Sequence, residues 1–188
     1  ITLAGFAGHA AFYAYTGELE LIVWICHASA LLAGVGLLMR SPRVNAVGMF
    51  GLAVGFPTWL LYLIGGGEFI PTSVLTHVLG FVLSVWGARL LGVPRSTWVL
   101  GTAYVAAMMI LARLLTSPEA NVNLAFGPDP TLSLWTYQGP AHWALLLGQW
   151  TLAFGALQFV LTQLLGWEVP GQTNDTPREI AARPPGSE

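Results

Sequence analysis

The chain has 188 residues, of which 55% are apolar, 12% aromatic and only 9% charged, where a soluble domain carries about 25% Asp, Glu, Lys and Arg. That composition, with a mean hydropathy of +0.66, excludes an ordinary soluble globule. Seven arginines, no lysine and a formal charge of −2 leave no basic patch for nucleic acid; a single cysteine rules out an internal disulfide, a CxxC centre and zinc held by thiolates, so no metal site is expected.

Six apolar spans follow one another, at roughly 2–17, 19–39, 45–64, 70–91, 97–116 and 140–165, each near the ~20 residues a helix needs to cross the hydrocarbon of a bilayer. Turn chemistry separates them: Thr16-Gly17-Glu18, Ser41-Pro42-Arg43, Gly65-Gly66-Gly67-Glu68, Gly92-Val93-Pro94-Arg95, and a long stretch from Ser117 to Gly139 holding Pro118, Pro128 and Pro130. The expected architecture is all-α, a polytopic membrane bundle of six transmembrane helices over residues 1–167, with a Pro-rich polar tail at 168–188. Arg40, Arg43, Arg89, Arg95, Arg178 and Arg183 fall in alternate breaks and the tail, whereas Glu18, Glu20, Glu68, Glu119 and Asp129 occupy the others. By the positive-inside rule both termini are cytoplasmic. The tail holds Pro170, Pro177, Pro184 and Pro185 and buries too little apolar surface to order itself, so any ordering would need a docking surface, expected on another subunit of a membrane complex. The chain opens on Ile1, and its short first span with Gly5 and Gly8 reads equally as a trimmed helix or as what a cleaved signal would resemble.

Small residues recur at helix-packing spacing, as Gly48, Gly51 and Gly55 on the third span and Gly80, Ser84 and Gly87 on the fourth. Such stripes let backbones approach closely in a bundle. Polar groups are costly in hydrocarbon and usually face a bundle interior or a cavity, and here they gather towards one end of the spans. Cys26 and His27 lie roughly 10 Å below the outer end of the second span, and Thr76 and His77 roughly 10 Å below that of the fourth. Pro57 and Thr58 reach a similar level, His9 lies at about 12 Å, and Arg113 and His142 sit nearer the surface. Ser73, His77, Gly80 and Ser84 follow i, i+4, i+7, i+11 and so share one small, polar helix face. A groove lined by these residues would admit a lipid headgroup or acyl ester. Each histidine has the alternative of simply bonding a neighbouring hydroxyl or backbone group, and Arg113 that of snorkelling to the interface to pair with Glu119.

A thiol in apolar surroundings is inert unless a base or cation lies beside it. Cys26 and His77 at equal depth would form a nucleophile and its base if their helices face each other.

The run WICHASALLAGVGLLMRSPR, then FGLAVGFPTWLLYLIGGGEFIPTSVLTHVLGF, then LLTSPEANVNLAFGP and YQGPAHWALLLGQW resembles, over residues 20 to 165 or so, the YwaF-like integral membrane family. The resemblance implies a helical membrane fold. The family's animal member is described as a lipid acyltransferase using a cysteine and a histidine, which by motif position implies Cys26 as nucleophile and His77 as base. Asn121 and Asn123 match the family's loop asparagines. This chain departs from the pattern in carrying His27, where Asn or Asp follows the cysteine, and in having one short span ahead of it.

Three functional classes remain open. One is thiol-dependent acyl transfer or hydrolysis on a membrane phospholipid, with Cys26 and His77 catalytic and His9, His27, Thr58, Ser73, Thr76, Arg113, Asn121, Asn123 and His142 lining the cavity. Another is a b-type haem between His27 and His77. The third is an accessory subunit without chemistry of its own, to which eight tryptophans and the tail would contribute contacts.

Overall fold

The structure is a computed structural model that describes residues 2–129 and 135–169. It is all-helical among these residues, apart from an isolated bridge pairing Val93 with Glu168. The main helices are α1 (Thr2–Thr16), α2 (Ile25–Leu38), α3 (Pro42–Ile64), α4 (Pro71–Leu91), α5 (Thr97–Leu115) and α6 (Gly139–Leu164). One falls in each of the six expected spans. The last four, of 23, 21, 19 and 26 residues, are long and apolar enough to cross a membrane. At 15 and 14 residues, α1 and α2 rise only about 21–23 Å against a hydrocarbon core of about 30 Å.

The second span departs from the expected continuous helix over 19–39. Leu19–Val23 forms a 3₁₀ turn, Trp24 is extended at ψ 135°, and α2 begins only at Ile25. The reason lies about a hundred residues away: Asn123, in the long loop, accepts a hydrogen bond from Ile25 N–H (2.7 Å) and donates to the Val23 carbonyl (2.9 Å). Backbone groups freed at a break inside a bundle must find such partners.

Proline and serine set the entry of α3, where Ser41 caps Val44 N–H (3.4 Å) and Pro42 opens the first turn. Along its length α3 makes its main packing surface against α2 and also touches α4 and α5. The small-residue stripe of α3 is what meets α2: a Cβ on Gly48 would lie 2.7 Å from the Ser29 carbonyl, and one on Gly55 would lie 2.8 Å from the Cys26 Cβ. Where lipid removes the hydrophobic drive between helices, this close approach is what holds them. Phe50, Phe154, Met49, Met109 and Val105 fill the interior between α3, α5 and α6. Only 22–39% of the apolar 18-residue stretch of each long helix is buried, and residues such as Ile64, Leu114 and Leu152 stand largely outward. An apolar exterior of this extent suits lipid rather than water.

Helix α4 carries a π-turn over Leu75–Leu79. Its extra residue per turn puts both Thr76 and His77 inside, while Ser73, Gly80, Ser84 and Gly87 remain buried along the same helix. Beyond α6 the chain returns to the α4–α5 turn, where Trp167 accepts from Val93 N–H and Glu168 pairs with Arg95 at 3.1 Å. The tail expected to dock on a partner lies, from residue 170 onward, outside the described residues.

Candidate functional site

Cys26 and His27 occupy the first turn of α2, directly after the break at Trp24. The break therefore does two things: it brings the positive end of a helix dipole beside the thiol, and it turns the polar pair inward. Gly55 on α3 makes room for Cys26, and the π-turn of α4 delivers His77 to the same point. A ligand atom from each of Cys26, His27 and His77 lies within 4.8 Å of the other two, and all three residues are buried.

The imidazoles are oriented by their Nδ1 atoms. Nδ1–H of His27 donates to the Leu21 carbonyl (3.1 Å) and Nδ1–H of His77 to the Ser73 carbonyl (2.9 Å). A carbonyl only accepts, so in the neutral rings both protons sit on Nδ1 and both Nε2 atoms present a lone pair. Trp59 lies flat on His77, with ring centroids 4.8 Å apart and planes 8° from parallel. His9, from α1, completes the group. Its Nδ1 meets the Thr72 hydroxyl at 2.6 Å, its ring packs edge-on against His27 at 4.5 Å, and its Nε2 is buried without a partner.

These residues form the floor of a cavity of about 490 Å³. Its polar rim includes the exposed Glu18 and Glu68 together with Tyr62. Its walls are apolar and aromatic, from Trp24, Val54, Trp59, Val105, Leu146 and Trp150, and it extends to the outward-facing Gln149 on α6. The volume suits a small-molecule-sized guest rather than a single water.

Of the residues expected at this cavity, Cys26, His77, His9, His27, Thr58, Ser73 and Asn123 line it. Thr76 is fully buried next to His77, with its hydroxyl unpartnered, but is not part of the wall. Arg113 near the end of α5, Asn121 in the loop after it and His142 near the start of α6 lie elsewhere, around that folded loop. Arg113 donates to the Ala125 carbonyl (3.1 Å) and covers the Phe126 ring; Asn121 ties Gly127 and Phe126 together through both ends of its amide. His142 accepts from Trp135 Nε1–H (2.9 Å) and donates from Nε2 to the Leu124 carbonyl (2.8 Å). Position along the apolar spans, the only coordinate available from sequence, placed these groups near the same end as the cavity but could not tell the folded loop's surroundings from the cavity. Tyr13, Trp59 and Trp150 line the cavity without having been singled out; as aromatics on apolar helices they carry no pattern that separates them from packing residues.

No family model, curated protein or solved structure matches the chain.

Proposed function

We propose that the protein is a six-helix membrane protein, with its termini on the cytoplasmic side, that carries out thiol-dependent acyl transfer or hydrolysis on a phospholipid entering from the outer leaflet. The observation that supports this reading most directly is Cys26 within 4.8 Å of two imidazoles at the floor of a large, mostly apolar cavity. The order of motifs resembling the YwaF-like family points the same way.

In this scheme His77 Nε2, its tautomer fixed by Ser73, takes the thiol proton of Cys26. The sulfur attacks the ester carbonyl, and the tetrahedral adduct collapses by expelling the lipid alkoxide, which recovers the proton from His77. A thioester then sits on Cys26 until water or a second lipid hydroxyl, deprotonated by the same ring, attacks it. The start of α2 lies beside the oxyanion that forms in each half, and Glu18 and Glu68 at the rim suit a cationic headgroup.

Purified protein incubated with acyl-labelled phospholipid provides the test. Transfer or release of label is expected, with Cys26→Ser and His77→Ala each lowering it by roughly 10³-fold and the double variant little worse than either, because nucleophile and base act as one unit. Full activity in Cys26→Ser would sink the proposal and leave the accessory-subunit reading. The b-type haem reading asks for a slot as wide as a porphyrin between His27 and His77, where Cys26 already approaches both rings; a Soret band in the pure protein would reinstate it.

A further inference from the structure

The histidines at the cavity floor have more in common than a base and its neighbours require. Nδ1 of His27 and of His77 is held by a backbone carbonyl and Nδ1 of His9 by a threonine hydroxyl, while no Nε2 in the group makes a hydrogen bond among the described residues. For His27 and His77 that is the arrangement by which metal-ligating histidines are oriented and made basic, and the Thr72 hydroxyl, which can accept from Nδ1–H, permits the same tautomer in His9. His9 is 1% exposed, so its unpartnered Nε2 is a buried polar atom with no explanation inside the apo fold.

We infer that Cys26, His27 and His77 form a binding site for one monovalent copper ion, with His9, whose ring packs against His27 outside that triad, available as a further donor when its ring turns in. The donors chosen are one thiolate and imidazoles, the soft and borderline set that selects Cu(I) or Zn(II) over harder ions. A single thiolate excludes a multi-thiolate zinc centre and leaves this one open. Ligand atoms in a tetrahedral centre with bonds of about 2.0–2.3 Å stand about 3.3–3.8 Å apart, so closing the 4.8 Å triad asks for about 1 Å of side-chain movement.

Charge decides between the two ions. When Cys26 binds, its thiol proton leaves to water at the cavity mouth, and Cu(I) with one thiolate and neutral imidazoles is a neutral unit. Zn(II) on the same ligands would leave a net positive charge among Trp59, Val54 and other apolar walls, where uncompensated charge is expensive. The carboxylates at the rim, Glu18 and Glu68, provide a route by which a cation reaches the floor. The inference stands apart from the acyl-transfer reading, and the two occupancies exclude each other, since an ion on Sγ takes the lone pair that an ester carbonyl would need.

The test uses purified full-length protein in detergent, under reductant, with Cu(I) delivered against the chelator bicinchoninate and with Zn(II) in a parallel arm. One Cu(I) per chain is expected, with X-ray absorption reporting one sulfur and two or three nitrogen neighbours. Cys26→Ser should bind roughly 10²-fold more weakly or worse, and Thr72→Val, which removes the partner of His9, about 10- to 100-fold more weakly, the usual cost of losing a hydrogen bond that orients a ligating ring. Because Cys26 is the only cysteine, alkylation of the wild type reads the site even if a variant fails to fold: Cu(I) should slow modification of the thiol at least tenfold. No binding above the chelator, sulfur-free coordination, unprotected alkylation, or tighter Zn(II) than Cu(I) would each overturn the copper assignment. Copper is measured without lipid, so a chain that transfers acyl groups but ignores copper, or the reverse, separates the two proposals.

Discussion

The buried histidines fall into two regions that differ in the use of the second ring nitrogen. His142 is fully buried with both nitrogens engaged, one accepting from Trp135 and the other donating to Leu124. His9, His27 and His77 are as deeply buried, yet each engages only Nδ1 and leaves Nε2 at the cavity floor. A satisfied imidazole is a rigid cross-link between segments; one whose Nε2 lone pair faces a cavity next to a thiol, as in His27 and His77, stays available to a proton or an ion. Burial and residue type are the same in both regions, so only the hydrogen-bond accounting tells them apart.

Replacing one histidine from each region puts the contrast to its hardest test. His142→Ala leaves Trp135 N–H and the Leu124 carbonyl unpaired and opens a void, at a cost of roughly 3–5 kcal/mol. His77→Ala strands only one carbonyl, beside a cavity that water can enter, and should cost well under half of that. Thermal unfolding in detergent, followed with a thiol-reactive dye that reports exposure of Cys26, gives both numbers. Equal losses would erase the distinction.

A second way to sharpen it is to remove what positions the reactive region without touching a histidine. Asn123 satisfies both sides of the break before α2. Asn123→Ala strands Ile25 N–H and the Val23 carbonyl, and about 2–4 kcal/mol should be lost. Asn123→Asp keeps the acceptor for Ile25 and should recover part of it. If Ala and Asp unfold alike, the cap on Ile25 contributes little.

How far the sequence disclosed this arrangement follows from which interactions are local. The helices are announced by apolar runs and by Gly and Pro punctuation, and each expected span contains one. Cys26, His27, His77 and His9 meet because similar depth on packed helices is close to a spatial coordinate. The break at Trp24 left no such trace: an apolar run over 19–39 reads as continuous helix, and the cap that permits the break comes from a left-handed asparagine about a hundred residues away. The π-turn at Leu75–Leu79 is hidden for the same reason, since it shifts the helix face without changing its apolar content. Arg113 and His142 sit at a depth that also fits the cavity, and the backbone of the folded loop, invisible to periodicity, is what claims them.

Gly55 tests the close approach that brings the reactive region together. A methyl there would meet the Cys26 Cβ at 2.8 Å, and neither atom is at the end of a flexible chain. Overpacking of this kind costs about 1–3 kcal/mol. Gly55→Ala should lower the melting temperature and alter the alkylation rate of Cys26, while Gly148→Ala, with open space around its added carbon, should do neither. A Gly55→Ala protein with unchanged thiol reactivity would show that α2 and α3 can part without disturbing the site.

The smallest expected effect concerns Trp59, and it asks whether the reactive ring needs an aromatic floor as well as a hydrogen bond. The Ser73 carbonyl fixes which nitrogen carries the proton but permits rotation about the Nδ1–H···O axis; the indole, 8° from parallel at 4.8 Å, removes that freedom. Such a pair is worth about 0.5–1.5 kcal/mol beyond its buried area, which corresponds to about two- to tenfold in a rate that depends on the orientation of Nε2. Under the proposed acyl transfer, Trp59→Leu should therefore lower kcat for acyl release by that factor with KM little changed, since the tautomer survives and the cavity stays apolar. Trp59→Phe, which keeps a stacking face, should recover most of it. A Leu variant as fast as the wild type would mean that Ser73 alone orients the ring and that the tryptophan serves the cavity wall.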